Sequence, residues 1–486
     1  MSSRQPDYHP DRGENPRSIR PIAERAVSRA AGAPLVGGNA VRLLIDARGN
    51  YPVWLEAISQ AKHAIFFENY IISPDRTGRA FRDALTERAA AGVKVRVLQD
   101  WLGSFKASRR FWAPLINAGG IIRVHNPFRF ESPLGWLSRD HRKTMVIDGQ
   151  TGFVSGLCVS DRWLGNPQKN VEPWRDTGVE IKGPAVNDLL KAFAEVWAEN
   201  GNKLEPEDLE LPHPVEAGYT HLRVIATAPN LAGVYRLDLL VSALAKKRLW
   251  LSDAYFAGIP AYIQALRAAA RDGVDVRLLI PGGSDLPLLR PLTTAGYRPL
   301  LEAGVRVFEW NGSMMHAKTA VADSRWARVG STNLNVASWM SNHELDVAIE
   351  DVDFAKQMEA QYENDLNHCT EVVLHQRKRV RRDVSGKRKS RPGGGSVARA
   401  TAGALRLGRT LGAAMMNRRL FAPDEARTIG WVACAPMLLG LIALIFPHVV
   451  AWPLAALLIW FSIALLIRAN RLRKAGKEKL GAVSPD

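Results

Sequence analysis

One pattern occurs twice in this chain and limits what it can build: His, any residue, Lys, four residues, Asp. It appears as His141-Arg142-Lys143 with Asp148 and again as His316-Ala317-Lys318 with Asp323. With 11 histidines in 486 residues, roughly 0.02 such matches are expected from composition, so a pair marks a motif. The flanks repeat as well. A strand-like run at 63–72, a helix-like run at 80–92 and a strand-like run at 93–100 return as RLWLSDAYF, AYIQALRAAARDG and VDVRLLIPG. Both copies carry Gly-Val-x-Val-Arg, at 92–96 and 273–277. Strand, helix, strand in duplicate predicts an α/β fold made of two units, of about 160 residues each. A period that long signals internal duplication, not a solenoid.

Charge is distributed unevenly around these units. The formal net charge is +17, yet residues 376–486 hold 21 Lys or Arg against 5 Asp or Glu. The remaining body is almost neutral, which argues against a nucleic-acid groove spread over it, and no nucleic-acid partner is expected. Three cysteines, Cys158, Cys369 and Cys434, form neither a disulfide framework nor a metal-type spacing. No apolar leader segment opens the sequence, so its start is expected in the cytoplasm.

The basic tail reads as a series of segments. Residues 376–396 form a basic tether suited to anionic headgroups, worth about 1 kcal/mol per basic residue near the surface. Residues 397–420 fit an interfacial amphipathic helix: Ala400, Ala404, Leu407, Leu411 and Met415 share one face, opposite Arg399, Arg406 and Arg409. Residues 429–467 contain no Asp, Glu, Lys or Arg. One straight helix of that length would run about 58 Å, too long for a ~30 Å hydrocarbon core. Pro447 and His448 divide it, giving an expected transmembrane hairpin, with a shallow re-entrant hairpin as the alternative. Arginines on both flanks, continuing into a basic tail at 468–486, put both ends in the cytoplasm.

The twin motif suits phosphodiester chemistry. On a strand, His and Lys two apart share a face. One imidazole can attack phosphorus while the other protonates the leaving oxygen. Two ammonium groups neutralise the non-bridging oxygens. That work requires no metal, and neither a metal nor a cofactor is expected. Asp148-Gly149 and Asp323-Ser324 read as hairpin turns.

At these residues the chain resembles the phospholipase D superfamily, whose motif is H-x-K-x4-D followed by G-S-x-N, here Gly330-Ser331-Thr332-Asn333. Within it, the phrases RDHRKTMVIDGQTGFVSGL, WRDTGVEIKGPAV and MMHAKTAVADSRWARVGSTNLN resemble the bacterial cardiolipin synthase family. The resemblance covers about 38–370. It implies an α-β-α body with pseudo-twofold symmetry, one active site shared by the halves, and a phosphohistidine intermediate. The implied organisation is a flexible arm at 1–37, halves at 38–205 and 218–375, and a linker at 206–217 between them.

The resemblance assigns His141 as nucleophile and His316 as general acid. Lys143, Lys318 and Asn333 would grip the phosphate, with Ser331 supporting their loop. Asp148 and Asp323 complete the motifs as anchors of their loops. Glu344 corresponds to an acid that orients an imidazole, and Asp176 is its first-half counterpart. The first copy departs from the pattern, ending Ser155-Gly156-Leu157-Cys158. The implied reaction moves a phosphatidyl group between phosphatidylglycerol molecules, at a bacterial inner membrane with the catalytic body on its cytoplasmic side. Hydrolysis to phosphatidic acid is the alternative, and a nuclease of the same superfamily is a more distant one.

Overall fold

The computed structural model describes residues 20–127, 138–283, 285, 293–294, 296–374, 380–382 and parts of 437–467. The first repeat supplies β1 (Val36–Ile45), β2 (Ala64–Asn69), β3 (Lys94–Asp100), β4 (Ile121–His125), β5 (Lys143–Ile147), β6 (Thr151–Ser155) and β7 (Thr177–Lys182). The second supplies β8 (Thr220–Thr227), β9 (Arg248–Ser252), β10 (Asp275–Pro281), β11 (Arg306–Trp310), β12 (Thr319–Ala322), β13 (Trp326–Gly330) and β14 (Glu344–Glu350). Two more, β15 (Cys369–Leu374) and β16 (Val380–Arg382), extend the far edge.

All of them join one sheet in the order β16-β15-β11-β10-β9-β12-β13-β14-β8-β1-β7-β6-β5-β2-β3-β4. Read outward from the β8–β1 pair, each half lists its strands in the same sequence, so the duplication becomes a pseudo-twofold axis through the sheet centre. The runs predicted as paired strands are β2 with β3 and β9 with β10, both parallel. All six residues of β2 are buried, as a parallel strand covered on both faces requires.

Helices cover both faces. On one face the helices Val186–Glu199 and Val352–Leu366 share a single core, to which Phe193, Val196 and Trp197 come from the first half and Phe354, Met358 and Tyr362 from the second. Each such side chain contributes about 1.5–3 kcal/mol on burial. Six of them together rival the net stability of about 5–15 kcal/mol typical of a domain, so the halves cannot separate without unfolding. On the other face each half keeps its own core, around Trp54, Phe81 and Trp112 in one and Tyr262, Leu266 and Leu300 in the other.

Several boundaries differ from those expected. The arm at 1–37 is in part ordered: a helix, Arg20–Ala31, precedes β1. Ala31 and Ala33 pack with Ile225, Val234 and Leu237, and Glu24 pairs with the buried Arg223. The linker docks on the first half, where Asp208 accepts from Arg96 Nε (2.8 Å) and Nη2 (2.6 Å). Within the expected tether, Val380–Arg382 form β16, antiparallel to β15, because an edge strand offers unpaired backbone groups. The amphipathic helix lies outside the described residues. Among the described residues no helix is long and apolar enough to cross a membrane, and much of the expected hairpin lies outside them.

The motif aspartates make matching turns. Asp148 and Gly149 have φ of 53° and 67°, Asp323 and Ser324 of 52° and 55°, the left-handed pair that a tight hairpin needs. Asp148 accepts from the backbone N–H groups of Lys62, His63 and Ala64 at 2.7–2.9 Å. Asp323 does the same for Lys246, Lys247 and Arg248 at 2.8–2.9 Å, and these bonds hold its carboxyl below the usual range against a partial burial that would raise it. Asp323→Ala should therefore lower the unfolding free energy by about 1–2 kcal/mol in urea titrations. The difference should be full above the ordinary aspartate pKa and fade as pH falls below it.

Candidate active site

Each motif histidine sits just before a strand, on an extended segment that reaches into the opposite half. The N–H of His141 donates to His343 O (2.9 Å), and that of His343 donates to Arg139 O (2.8 Å). In the second copy His316 donates to Arg175 O (2.7 Å) and Arg175 to Met314 O (2.9 Å). These form two parallel bridges, Asp140 with His343 and Arg175 with Met315. The residue after His343 is Glu344 and the residue after Arg175 is Asp176, so each bridge sets an imidazole beside an acid from the other repeat.

The expected acids therefore meet the histidines crosswise. His141 Nδ1 lies 2.8 Å from Glu344 Oε2, and His316 Nδ1 lies 2.7 Å from Asp176 Oδ2. Both acids are 0% exposed. A carboxylate on Nδ1 fixes the tautomer and leaves the Nε2 lone pair for chemistry.

The two acids are supported differently. Glu344 accepts from Ser331 Oγ (2.6 Å) and Asn342 Nδ2 (3.3 Å). Burial pushes it up to about 7, opposed by Lys143 and those hydrogen bonds. Asp176 accepts from Trp163 Nε1 (2.9 Å) and from Thr177 N–H (2.9 Å). Burial would raise Asp176 as well, but His316 and Lys318 outweigh it and hold the carboxyl at about 2. Gly156 occupies the place of Ser331 in the first copy, and a Cβ there would come within 2.1 Å of Asp176 Oδ1. An indole thus does on one side what a hydroxyl does on the other. Ser331, expected to support the loop that grips phosphate, holds Glu344 through its hydroxyl and accepts from Leu345 N–H (2.9 Å).

His316 is pushed down to about 3 by burial and by Lys318. That direction opposes a standing ion pair with Asp176. A neutral imidazole donating Nδ1–H to an ionised Asp176 reconciles both shifts. Lys143 and Lys318 are buried, and each ammonium donates to the carbonyl of its own motif histidine. Lys318 is pulled down to about 8 by burial, with Lys143 adding to the effect. Lys143 depresses His316 too, so the charges of the two motifs converge on one place.

A cavity of about 60 Å³ is lined by both His141 and His316, together with Tyr70, Cys158, Trp174, Tyr255 and Asn333. A larger one, about 740 Å³, opens around Lys62, His63 and Asp148 but holds neither motif histidine; chemistry rather than size locates the site. Asn333 Oδ1 has no hydrogen-bond partner, and Cys158 replaces its counterpart with a thiol that burial pushes up. Asp148 and Asp323, grouped with the motif as catalytic candidates, are outside this cavity: they follow β5 and β12 directly, about 20 Å along from the histidines at ~3.3 Å per residue.

Sequence reasoning gave no role to several lining groups. Tyr70 follows β2, and Tyr255 comes shortly after β9. Their rings lie 5.1 and 5.9 Å from the ammonium groups of Lys143 and Lys318, and 4.8 and 6.0 Å from His141 and His316. Trp163 and Trp174 flank His316 at 5.2 and 5.4 Å. A tyrosine after the same strand in both repeats was the available signal.

A family model described as "Cardiolipin synthase, PLD-like domain" matches residues 54–197 and 241–366, one stretch in each half. Cardiolipin synthase A of Pseudomonas putida (strain W619) is 33% identical over 362 residues, covering 72% of this chain and 73% of the relative. Cardiolipin synthase 1 of Bacillus anthracis is 31% identical over 369 residues, covering 72% of each. A solved structure of phosphatidylserine synthase from Haemophilus influenzae Rd KW20 superposes with a TM-score of 0.58 at 15% identity, over 72% of this chain and 92% of that one, a likeness of fold. With both repeats matched and relatives aligned over nearly three quarters of either length, the chain belongs to the cardiolipin synthase family of the phospholipase D superfamily.

Proposed function

We propose that this phosphatidyltransferase moves the phosphatidyl group of one phosphatidylglycerol to a hydroxyl of a second, releasing glycerol and forming cardiolipin. The observation that carries the reading is the single cavity reached by both imidazoles, each tied through Nδ1 to a buried acid. His141 Nε2 attacks phosphorus and the bond to the glycerol oxygen breaks, while His316 gives that oxygen its proton. In the second step His316 takes the proton of the acceptor hydroxyl, whose oxygen displaces His141 from phosphorus. Lys143, Lys318 and Asn333 hold the non-bridging oxygens.

The electrostatics support this order. Asp176, ionised at about 2, is the partner an imidazole needs if it is to carry a second proton. The anionic phosphodiester offsets the lysine charges that keep His316 neutral beforehand. We further propose attachment to a membrane on the cytoplasmic side through the C-terminal region. Exposed Trp452, Leu454, Leu457, Leu458 and Ile459 on the helical stretch 451–463 support it, as does the basic tail. Tethering raises the effective concentration of two substrates that both reside in the bilayer.

Purified full-length protein mixed with phosphatidylglycerol vesicles should yield cardiolipin and glycerol; phosphatidic acid and glycerol would mean that water resolves the intermediate. A phosphatidyl donor with a nitrophenol leaving group needs no general acid. With its phosphorus labelled, it should mark His316→Ala covalently and leave His141→Ala unmarked; the converse would exchange the two roles. Glu344 must lose its proton to accept His141 Nδ1–H, and its carboxyl titrates at about 7. Turnover should therefore climb with pH through an acid limb near 7. Glu344→Gln should remove the limb and slow turnover by about 10²–10⁴-fold, whereas an unchanged limb would assign it to another group.

A further inference from the structure

The two bridges that carry the histidines are braced differently. Arg175, the residue before Asp176, is buried and donates through Nε to Asp365 (2.9 Å), near the end of the helix Val352–Leu366. Its counterpart before Glu344 is His343, whose Nε2 lies 3.2 Å from Glu199, the last residue of the helix Val186–Glu199. The guanidinium that neutralises one helix-end acid is thus replaced by an imidazole at the other. A second imidazole, His125 at the end of β4, sits against it with ring centroids 5.1 Å apart.

We propose that His125, Glu199 and His343 form a binding site for a divalent transition cation, Zn²⁺ above all, which supplies the positive charge that Arg175 supplies in the other half. One ligand atom from each residue falls within 4.8 Å of the others, and small side-chain rotations bring such a triangle to the 2.0–2.2 Å bond lengths of zinc. His125 is 4% exposed and His343 3%, yet His125 Nε2 and His343 Nδ1 have no hydrogen-bond partner. The unpartnered His125 Nε2 is the buried nitrogen a coordinated ion would explain; His343 meets Glu199 through Nε2.

The protonation state suits coordination. Burial, His343 and the nearby Arg139 and Arg142 push His125 down to about 3, and burial with Arg142 lowers His343 against the pull of Glu199. Both shifts favour the uncharged ring, the form that ligates. The two arginines have partners of their own: Arg139 lies 3.1 Å from Asp100, and the Arg142 guanidinium donates to the carbonyls of Glu344, Ala192 and Thr227. Asn200 Nδ2 donates to Val196 O (2.7 Å) and lies 3.0 Å from His125 Nδ1, so coordination through His125 Nε2 moves the ring proton to Nδ1 and displaces that amide contact. The Glu199 side chain is 49% exposed, which leaves an entry path and room for a water ligand. Two imidazoles and one carboxylate favour zinc or cobalt over calcium or magnesium.

The test uses the untagged full chain, stripped with a chelator and titrated with Zn²⁺ and with Co²⁺. One equivalent of Zn²⁺ should bind and raise Tm. Co²⁺ should give the intense visible absorption of a four-coordinate site, abolished by Zn²⁺. His125→Ala and Glu199→Gln should each weaken binding at least tenfold, and Glu199→Gln, at a half-exposed helix end, should keep the apo Tm of the wild type. Absence of stoichiometric uptake in the wild type, or wild-type affinity in either variant, would overturn the proposal.

Discussion

The site depends on an exchange between repeats: neither half can orient its own nucleophilic group. His141 is held by an acid 203 residues away and His316 by one 140 residues away, and both contacts follow from backbone bridges that cross the pseudo-twofold axis. A hydrogen bond between side chains alone would leave each imidazole free to swing. Bridges on the adjoining backbone remove that freedom, so the orientation is prepaid in the fold. A single repeat would expose its motif lysine and lose the carboxylate that orients its own imidazole, which gives the shared core around Trp197 and Tyr362 a functional reason as well as a structural one.

Burial sets the electrostatics of the cavity. Two lysines, two histidines and two acids lie almost fully out of water, an arrangement costly for a core and useful for binding an anion. Lys143 adds to the depression of Lys318, and both lower His316, so the empty site is charged against itself. A phosphodiester between them relieves that repulsion. Affinity for the doubly substituted phosphate and stabilisation of the charge that develops on it thus come from the same groups, fixed before substrate arrives.

Much of this was legible in the sequence because its signals are local. His-x-Lys-x4-Asp specifies an extended segment ending in a left-handed turn, and Asp148 and Asp323 make those turns. The parallel strands were readable as continuous apolar runs, and the duplication as repeated phrases. The roles that depend on distant partners were less so. Ser331 is recognisable as part of Gly330-Ser331-Thr332-Asn333, whereas the commitment of its hydroxyl to Glu344 depends on a strand 13 residues on. The helix at 20–31 escaped notice in a polar arm because its burial rests on two alanines, Ala31 and Ala33, that meet a helix more than 200 residues on. The start of β16 is set by a free strand edge, which composition does not encode.

The two halves have kept their topology and diverged in chemistry. Ser331 and Asn333 stand opposite Gly156 and Cys158, and Arg175 stands opposite His343. One acid stays ionised at any physiological pH while the other titrates near neutrality. A symmetric pair would give both imidazoles the same proton affinity, and a double displacement needs them to differ: one must attack unprotonated while the other delivers a proton. Duplication brings two imidazoles to one cavity; in the proposed mechanism the departures from symmetry are what allow them to do opposite work.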